Sequence, residues 1–99
     1  MISLVDITST VSRVMPRYDV REAYLFGSFA RGDQTSESDI DLHLVCGDSM
    51  TFGILYELSL ELEKELGRKV DIVTNPPEHM RPAFRNSIEQ DEVCIYKAS

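Results

Sequence analysis

The stretch that most constrains the fold runs from Tyr24 to Val45, YLFGSFARGDQTSESDIDLHLV. It contains two apolar runs of strand-like length, with a Gly27-Ser28 turn after the first. In the second run Asp39 and Asp41 occupy alternate positions. Both carboxylates are therefore expected on one face of a strand, roughly 7 Å apart along the backbone. The pattern predicts a sheet with one buried face and one face that carries polar chemistry.

Both halves of this stretch suit phosphate chemistry. Backbone N–H groups at a Gly-Ser turn that opens a helix form an anion site, and the Ser28 hydroxyl adds a donor. The oxygens of Asp39 and Asp41 can converge on Mg²⁺, a hard cation that shares oxygen ligands with substrate phosphates. Each half alone is common, as an ordinary turn or as a solvated strand face. Their occurrence together and in this order favours a phosphoryl-transfer site.

Periodicity along the rest of the chain predicts an α/β sandwich built on one sheet. The predicted helices are one from Leu4 to near Pro16 with Ser3 as its N-cap, a short turn at Ser28–Arg31, Thr51–Leu66 ending at Gly67, and Arg81–Gln90. The predicted strands are Ala23–Phe26, Asp39–Cys46, Lys69–Thr74 before the break at Asn75-Pro76-Pro77, and Val93–Tyr96.

The motif GSFARG followed by SDIDL resembles the signature of the polymerase-β-type nucleotidyltransferases. Within them it looks most like the minimal nucleotidyltransferase (MNT) family, often the antitoxin of HEPN–MNT toxin–antitoxin pairs. The resemblance implies a polymerase-β-like nucleotidyltransferase fold, α/β, with a mixed sheet flanked by helices. Residues 1–99 are expected to form one such domain.

The resemblance also implies a catalytic set of three carboxylates. Asp71 lies on the strand after the long helix, as does the third acidic residue of the family pattern. Asp39, Asp41 and Asp71 are then expected to be catalytic and to hold metal, two Mg²⁺ ions about 4 Å apart. Asp71 could also help to take the proton from the attacking hydroxyl. His43 continues the same face, but Mg²⁺ prefers oxygen, so His43 is expected to be a bystander.

The nucleotide is expected to bind at the Gly27-Ser28 turn. The resemblance implies that Mg-ATP binds with its triphosphate against Gly27 and Ser28. Arg31 matches a position typical of the family. It could stabilise phosphate charge or orient the loop, or it could pair with Asp33 or Glu37, and the sequence leaves these roles open.

The composition limits which class of molecule could accept the transferred group. The 99 residues carry 10 Lys and Arg against 17 Asp and Glu, a net charge of −7, and no basic track. Nucleic acid is therefore not expected as a partner, since phosphate backbones require positive charge. No apolar run is long enough for a membrane span, and the first ten residues do not resemble a signal peptide. Cys46 and Cys94 are expected to be buried thiols rather than a disulfide. The free thiols and the lack of a signal-peptide pattern together favour a cytoplasmic protein.

We therefore predict that the chain transfers AMP from ATP to a tyrosine hydroxyl of a HEPN-type partner protein. Because no second domain is evident to clamp the nucleobase, a partner chain or a homodimer is expected to complete the site. Two alternatives remain open at this point. One is a non-catalytic, nucleotide-binding antitoxin or adaptor that acts by contact, and the other is a small-molecule (antibiotic) nucleotidyltransferase.

Overall fold

The structure, a computed structural model, describes residues 2–74 and 82–98. Helices and strands alternate along the chain. The helices are α1 (Leu4–Val14), α2 (Ser28–Arg31), α3 (Phe52–Leu66) and α4 (Pro82–Asp91), and a short 3₁₀ turn at Met15–Arg17 follows α1. The strands are β1 (Val20–Phe26), β2 (Ile40–Cys46), β3 (Val70–Val73) and β4 (Val93–Lys97).

The four strands form one mixed sheet in the order β3-β2-β1-β4. Strand β1 runs antiparallel to both β2 and β4, whereas β2 and β3 run parallel. A parallel pair needs a crossover, and α3 provides it between β2 and β3. The expected mixed sheet flanked by helices is therefore confirmed.

The main core lies on one face of this sheet, beneath α1 and α3. Alternate residues of β2 point into it, and Ile40, Leu42 and Leu44 are fully buried there. Many of the other core residues come from both helices and from β1, among them Ile7, Val11, Val14, Ala23, Leu25, Leu58 and Leu62. The opposite face of β2, which carries Asp41, is thus left for polar chemistry, as the period of two predicts.

The N-terminus of α1 is fixed by a capping box. The Ser3 hydroxyl accepts a hydrogen bond from the Asp6 backbone N–H at 3.2 Å, and the Asp6 carboxylate accepts one from the Ser3 backbone N–H at 2.9 Å. Two of the N–H groups that a helix start leaves without partners are satisfied in this way.

Replacing Ser3 with alanine is expected to lower the free energy of unfolding by about 1 kcal/mol, because the Asp6 N–H loses its acceptor. Thermal unfolding should show a fall in Tm of about 4–8 °C for a domain of this size. Ser9→Ala, at an exposed position inside the same helix, is the matched control and should change the stability by less than about 0.5 kcal/mol. Equal losses for the two variants would contradict the importance of the cap.

All the predicted elements that lie within the described residues form, with shifted ends. The first strand begins at Val20 rather than Ala23, because Val20 and Glu22 also pair with the end of β2. The second strand begins at Ile40, so Asp39 directly precedes it. The predicted break at Asn75-Pro76-Pro77 and the helix start at Arg81 lie outside the described residues. That residues 1–99 form one domain stays a prediction.

The cysteines differ from expectation in one respect. Both are free thiols, and Cys46 is half-buried. The expectation of a buried thiol is wrong for Cys94, which is exposed because it lies on the opposite face of β4 from the buried Ile95. In the described part of the chain, no helix has the length and apolar character needed to cross a membrane.

Candidate active site

The Gly27-Ser28 turn joins β1 to α2 through an unusual backbone conformation. Gly27 has φ +77° and ψ −153°, a region that essentially only glycine adopts. Its carbonyl oxygen accepts hydrogen bonds from the N–H groups of Ala30 and Arg31, both at 3.1 Å, which fixes the first turn of α2. The turn predicted from sequence is therefore present and tightly held.

Asp41 lies directly against this turn. Strand pairing sets Asp41 opposite Phe26, the residue before Gly27. A Cβ atom on Gly27 would lie only 2.3 Å from Oδ2 of Asp41, a distance that no real Cβ contact shows. The absence of a side chain at position 27 thus lets the carboxylate approach the backbone, and the two halves of the motif meet in space.

The other two aspartates lie beside Asp41. Asp71 on β3 pairs in register with Asp41 on β2, and Asp39 precedes Asp41 by two residues. Nζ of Lys69 lies 4.0 Å from Oδ2 of Asp39 and 3.8 Å from Oδ1 of Asp71. The structure therefore brings the three predicted carboxylates together at the start of two parallel strands, with one ammonium group beside two of them.

The three carboxylates of this cluster repel one another when they are ionised. Burial, followed by the negative charges of Asp71 and Asp39, raises the pKa of Asp41 from 3.8 to about 6, although Arg31 and Lys69 act in the opposite direction. A carboxylate in a half-buried site beside like charges is held at a cost in free energy. A cation bound among these oxygens would remove that cost.

The donor set fits Mg²⁺ in its chemistry, since it offers carboxylate oxygens only. As the side chains stand, no three His, Cys, Asp or Glu residues in the described ranges 2–74 and 82–98 are arranged so that they could hold a metal ion. The Asp39 and Asp71 side chains are 43% and 44% exposed, so both have room to turn towards a shared ion. The three carboxylates therefore fit Mg²⁺ by donor chemistry, and in the positions that the structure describes they do not yet converge on one point.

Arg31 makes two ion pairs with other residues that the structure describes. Its Nε donates to Oδ2 of Asp33 at 3.1 Å, and a terminal nitrogen donates to Oδ2 of Asp91 at 3.0 Å. These two carboxylates raise the pKa of the guanidinium. Of the two partners considered from sequence, Asp33 is therefore the one observed, and Asp91 at the end of α4 is an addition. Whether Arg31 also binds phosphate stays a prediction.

A second polar network, which the sequence did not predict, lies two residues beyond Asp41. His43 is 7% exposed, and its Nδ1 lies 2.8 Å from Oε1 of Glu92, directly after α4. The His43 ring stacks on Tyr24 with centroids 5.8 Å apart, and the Tyr24 hydroxyl donates to Glu22. That hydrogen bond and burial raise the pKa of Tyr24 to about 12. The only sequence signal for this network was the position of His43 on the Asp41 face.

The site combines a Gly-Ser turn, an Asp-x-Asp pair at the start of β2 and a third carboxylate on the next parallel strand. This combination is typical of a nucleotidyltransferase. The family model of the polymerase β nucleotidyltransferases matches residues 9–99. The chain belongs to this family and is a nucleotidyltransferase, and the expected polymerase-β-like fold is confirmed.

Two relatives are informative. A protein of Methanocaldococcus jannaschii, classed by name among the protein adenylyltransferases, is 42% identical over 81 residues, 80% of each chain. The protein adenylyltransferase MntA of Thermococcus cleftensis is 33% identical over 67 residues, 68% of each chain. Both carry the similarity across most of their own length.

Solved structures share the fold. One described as a minimal nucleotidyltransferase matches with a TM-score of 0.70 and 29% identity, over 87% of this chain and 86% of the other. A Shewanella oneidensis MNT antitoxin complex with a tri-AMPylated HEPN toxin matches with a TM-score of 0.67 and 17% identity, over 93% of this chain and 71% of the other. At that identity the second likeness concerns the fold alone.

Proposed function

We propose that this chain transfers AMP from ATP to a tyrosine hydroxyl of a HEPN-type partner protein, and so acts as the antitoxin of a toxin–antitoxin pair. The observation that carries the proposal is the contact between Asp41 and the Gly27 backbone, with Asp71 in register beside it. A turn suited to binding an anion, next to a carboxylate cluster, supports transfer of a nucleotide between phosphate and hydroxyl.

In the proposed reaction the triphosphate of ATP binds at Gly27 and Ser28, with Arg31 beside it. The acceptor oxygen forms a bond to the α-phosphorus, the bond to the bridging oxygen breaks, and pyrophosphate leaves. The hydroxyl proton passes to the Asp71 carboxylate, because a tyrosine with a pKa near 10 needs a base or a metal at neutral pH. Asp39, Asp41 and Asp71 would hold Mg²⁺, which when bound offsets phosphate charge and steadies the attacking and leaving oxygens.

The choice of a protein acceptor rests on three supports. The relatives at 42% and 33% identity are named protein adenylyltransferases, and one fold neighbour is a complex with an AMPylated HEPN toxin. The net charge of −7 opposes a nucleic-acid acceptor. A HEPN-type protein is also the kind of partner that the motif resemblance implies.

The test is incubation of the co-expressed HEPN-type protein with labelled ATP, Mg²⁺ and the chain, followed by intact-mass analysis. The wild type is expected to add adenylyl groups to a tyrosine of the partner. Asp39→Asn should add none over the same time, because one of the carboxylates needed around the phosphates is lost. The proposal fails if the partner gains no mass with the wild type, or if Asp39→Asn modifies it at the wild-type rate.

A second candidate is neutralisation of the partner by contact alone, which the exposed apolar side chains of Phe52 and Tyr56 favour. An Asp39→Asn/Asp41→Asn variant separates the two. Full neutralisation of the partner by this variant would establish the contact mechanism, and loss of neutralisation with retained binding would establish transfer.

A further inference from the structure

An exposed apolar stripe runs along the outer side of α3. Phe52, Tyr56 and Leu60 follow one another at intervals of four residues, so they lie on one side of the helix. Their exposed fractions are 91%, 65% and 46%. Exposed apolar residues scattered singly are ordinary, but three large ones in line form a patch of the kind that marks an interaction site.

This stripe borders a groove between α3 and β3. The groove has a volume of about 260 Å³, and Phe52, Tyr56, Val70 and Ile72 contribute to its walls. A second depression of about 250 Å³ continues it past Phe52 towards Cys46 and the end of β3. Strand β3 is the last strand on this side of the sheet, so the groove opens at an edge. We call the stripe and both depressions the α3–β3 surface.

The α3–β3 surface is continuous with the candidate active site. Asp71 contributes to the wall of the groove and also pairs in register with Asp41. The groove therefore reaches the edge strand that carries one member of the carboxylate cluster.

The charge around this surface indicates the chemistry of its occupant. From Cys46 to Leu66 the sequence carries five acidic residues, Asp48, Glu57, Glu61, Glu63 and Glu65, and one basic residue, Lys64. Glu61 and Glu65 pair with arginines near α1, and Lys69 before β3 pairs with Asp39 and Asp71. Asp48 and Glu57 are exposed. An apolar stripe with an acidic border is complementary to a segment with apolar and basic side chains.

The same charge argues against other occupants. Two copies of this chain, each with a net charge of −7, would bring acidic borders together. A nucleic acid could stack bases on Phe52 and Tyr56, but its phosphates would meet negative charge.

We propose that the α3–β3 surface binds an apolar and basic segment of the partner protein and thereby delivers the acceptor hydroxyl to the Asp71 side of the site. This inference rests on the proposed function, because it names the docking surface for the acceptor. The groove holds the segment by burial of Phe52 and Tyr56, and the acidic border orients it.

The test measures, by calorimetry, how tightly the chain binds the HEPN-type partner protein, with each protein expressed and purified without the other. Phe52→Ser/Tyr56→Ser is expected to weaken binding at least about 30-fold, since exposed aromatic anchors carry much of an interface's energy. Both side chains are exposed, so the fold should be kept, and thermal unfolding checks this. Val5→Ser on α1, 76% exposed in the folded chain, is the matched control and should bind within about twofold of the wild type.

Two results would overturn the proposal. The first is wild-type affinity in the folded Phe52→Ser/Tyr56→Ser variant. The second is self-association of the chain alone, measured by sedimentation, that this double substitution abolishes. Glu57→Lys tests the charge: weaker binding supports a basic segment, and binding as tight as the wild type overturns that part of the assignment.

Failure of this inference can be told apart from failure of the proposed function. If the wild type adenylylates the partner and the double variant binds and modifies it normally, the docking surface is wrong and the function stands. If the double variant loses binding while the wild type transfers no AMP, the surface stands and the function is wrong. Asp39→Asn is expected to bind the partner normally without modifying it, which separates docking from chemistry.

Discussion

Replacing Asp41 with asparagine is expected to abolish most of the transfer activity and to make the metal-free protein more stable at neutral pH. Activity should fall by roughly 10²–10³-fold, because a charged ligand near the reacting phosphate is lost. Stability should rise because the ionised carboxylate is half-buried and faces Asp71 and Asp39, whereas the amide carries no charge. The two changes have opposite signs, so general damage to the fold could not produce both.

The sign of the stability effect follows from the pKa of Asp41, about 6 in the folded chain against an ordinary 3.8. Because the folded state holds the proton more tightly, this group's contribution to stability is highest below about pH 4, falls between pH 4 and 6, and stays low above pH 6. After a reduction for the partial exposure of Asp41, the cost in stability is about 1–2 kcal/mol at pH 7.5, which corresponds to a Tm difference of roughly 4–16 °C.

Thermal unfolding in a chelator at pH 7.5 and pH 4 measures this effect. Asp41→Asn should unfold at a higher temperature than the wild type at pH 7.5 and at nearly the same temperature at pH 4. Asp48→Asn, at an exposed position away from the cluster, should change little at either pH. Added Mg²⁺ should stabilise the wild type and not the Asp41 variant. A variant that is less stable than the wild type at both pH values would contradict the electrostatic account.

The sequence predicted those parts of the fold and site that depend on local patterns. The alternation in Asp39–Cys46 indicated a strand with a buried face, and Ile40, Leu42 and Leu44 are indeed fully buried. The turn at Gly27 could be predicted because a glycine between an apolar run and a helix usually marks a turn. Asp71 came only from the family resemblance, since an aspartate on a half-exposed strand is common.

Contacts between distant segments could not be predicted in the same way. Arg31 and Asp91 are 60 positions apart, and His43 and Glu92 are 49 apart. Both pairs depend on where the end of α4 lies relative to the sheet, and periodicity within a segment carries no information about that placement. The raised pKa of Asp41 likewise depends on burial, which arises only when the turn closes over the strand.

Gly27→Ala is expected to reduce both stability and activity, because position 27 has two separate requirements. The backbone has φ +77° and ψ −153°, which a residue with a Cβ adopts only with strain, and the added carbon would meet Oδ2 of Asp41 at 2.3 Å. Together these should cost about 2–4 kcal/mol of stability. Displacement of the carboxylate from the turn should lower the rate of AMP transfer roughly 100-fold, as a shift of about 1 Å in a reacting geometry can do.

Gly32→Ala supplies the control that separates these two requirements. Gly32 also has a positive φ, +84°, but a Cβ there would have no atom within 4 Å. Its replacement should therefore cost about 1 kcal/mol through the backbone alone and leave the transfer rate close to that of the wild type. Denaturant unfolding and the initial rate of adenylylation, measured for both variants, test this. If Gly32→Ala loses as much activity as Gly27→Ala, the close approach of Asp41 to the turn is not what the reaction needs, because backbone strain without a clash would then be sufficient.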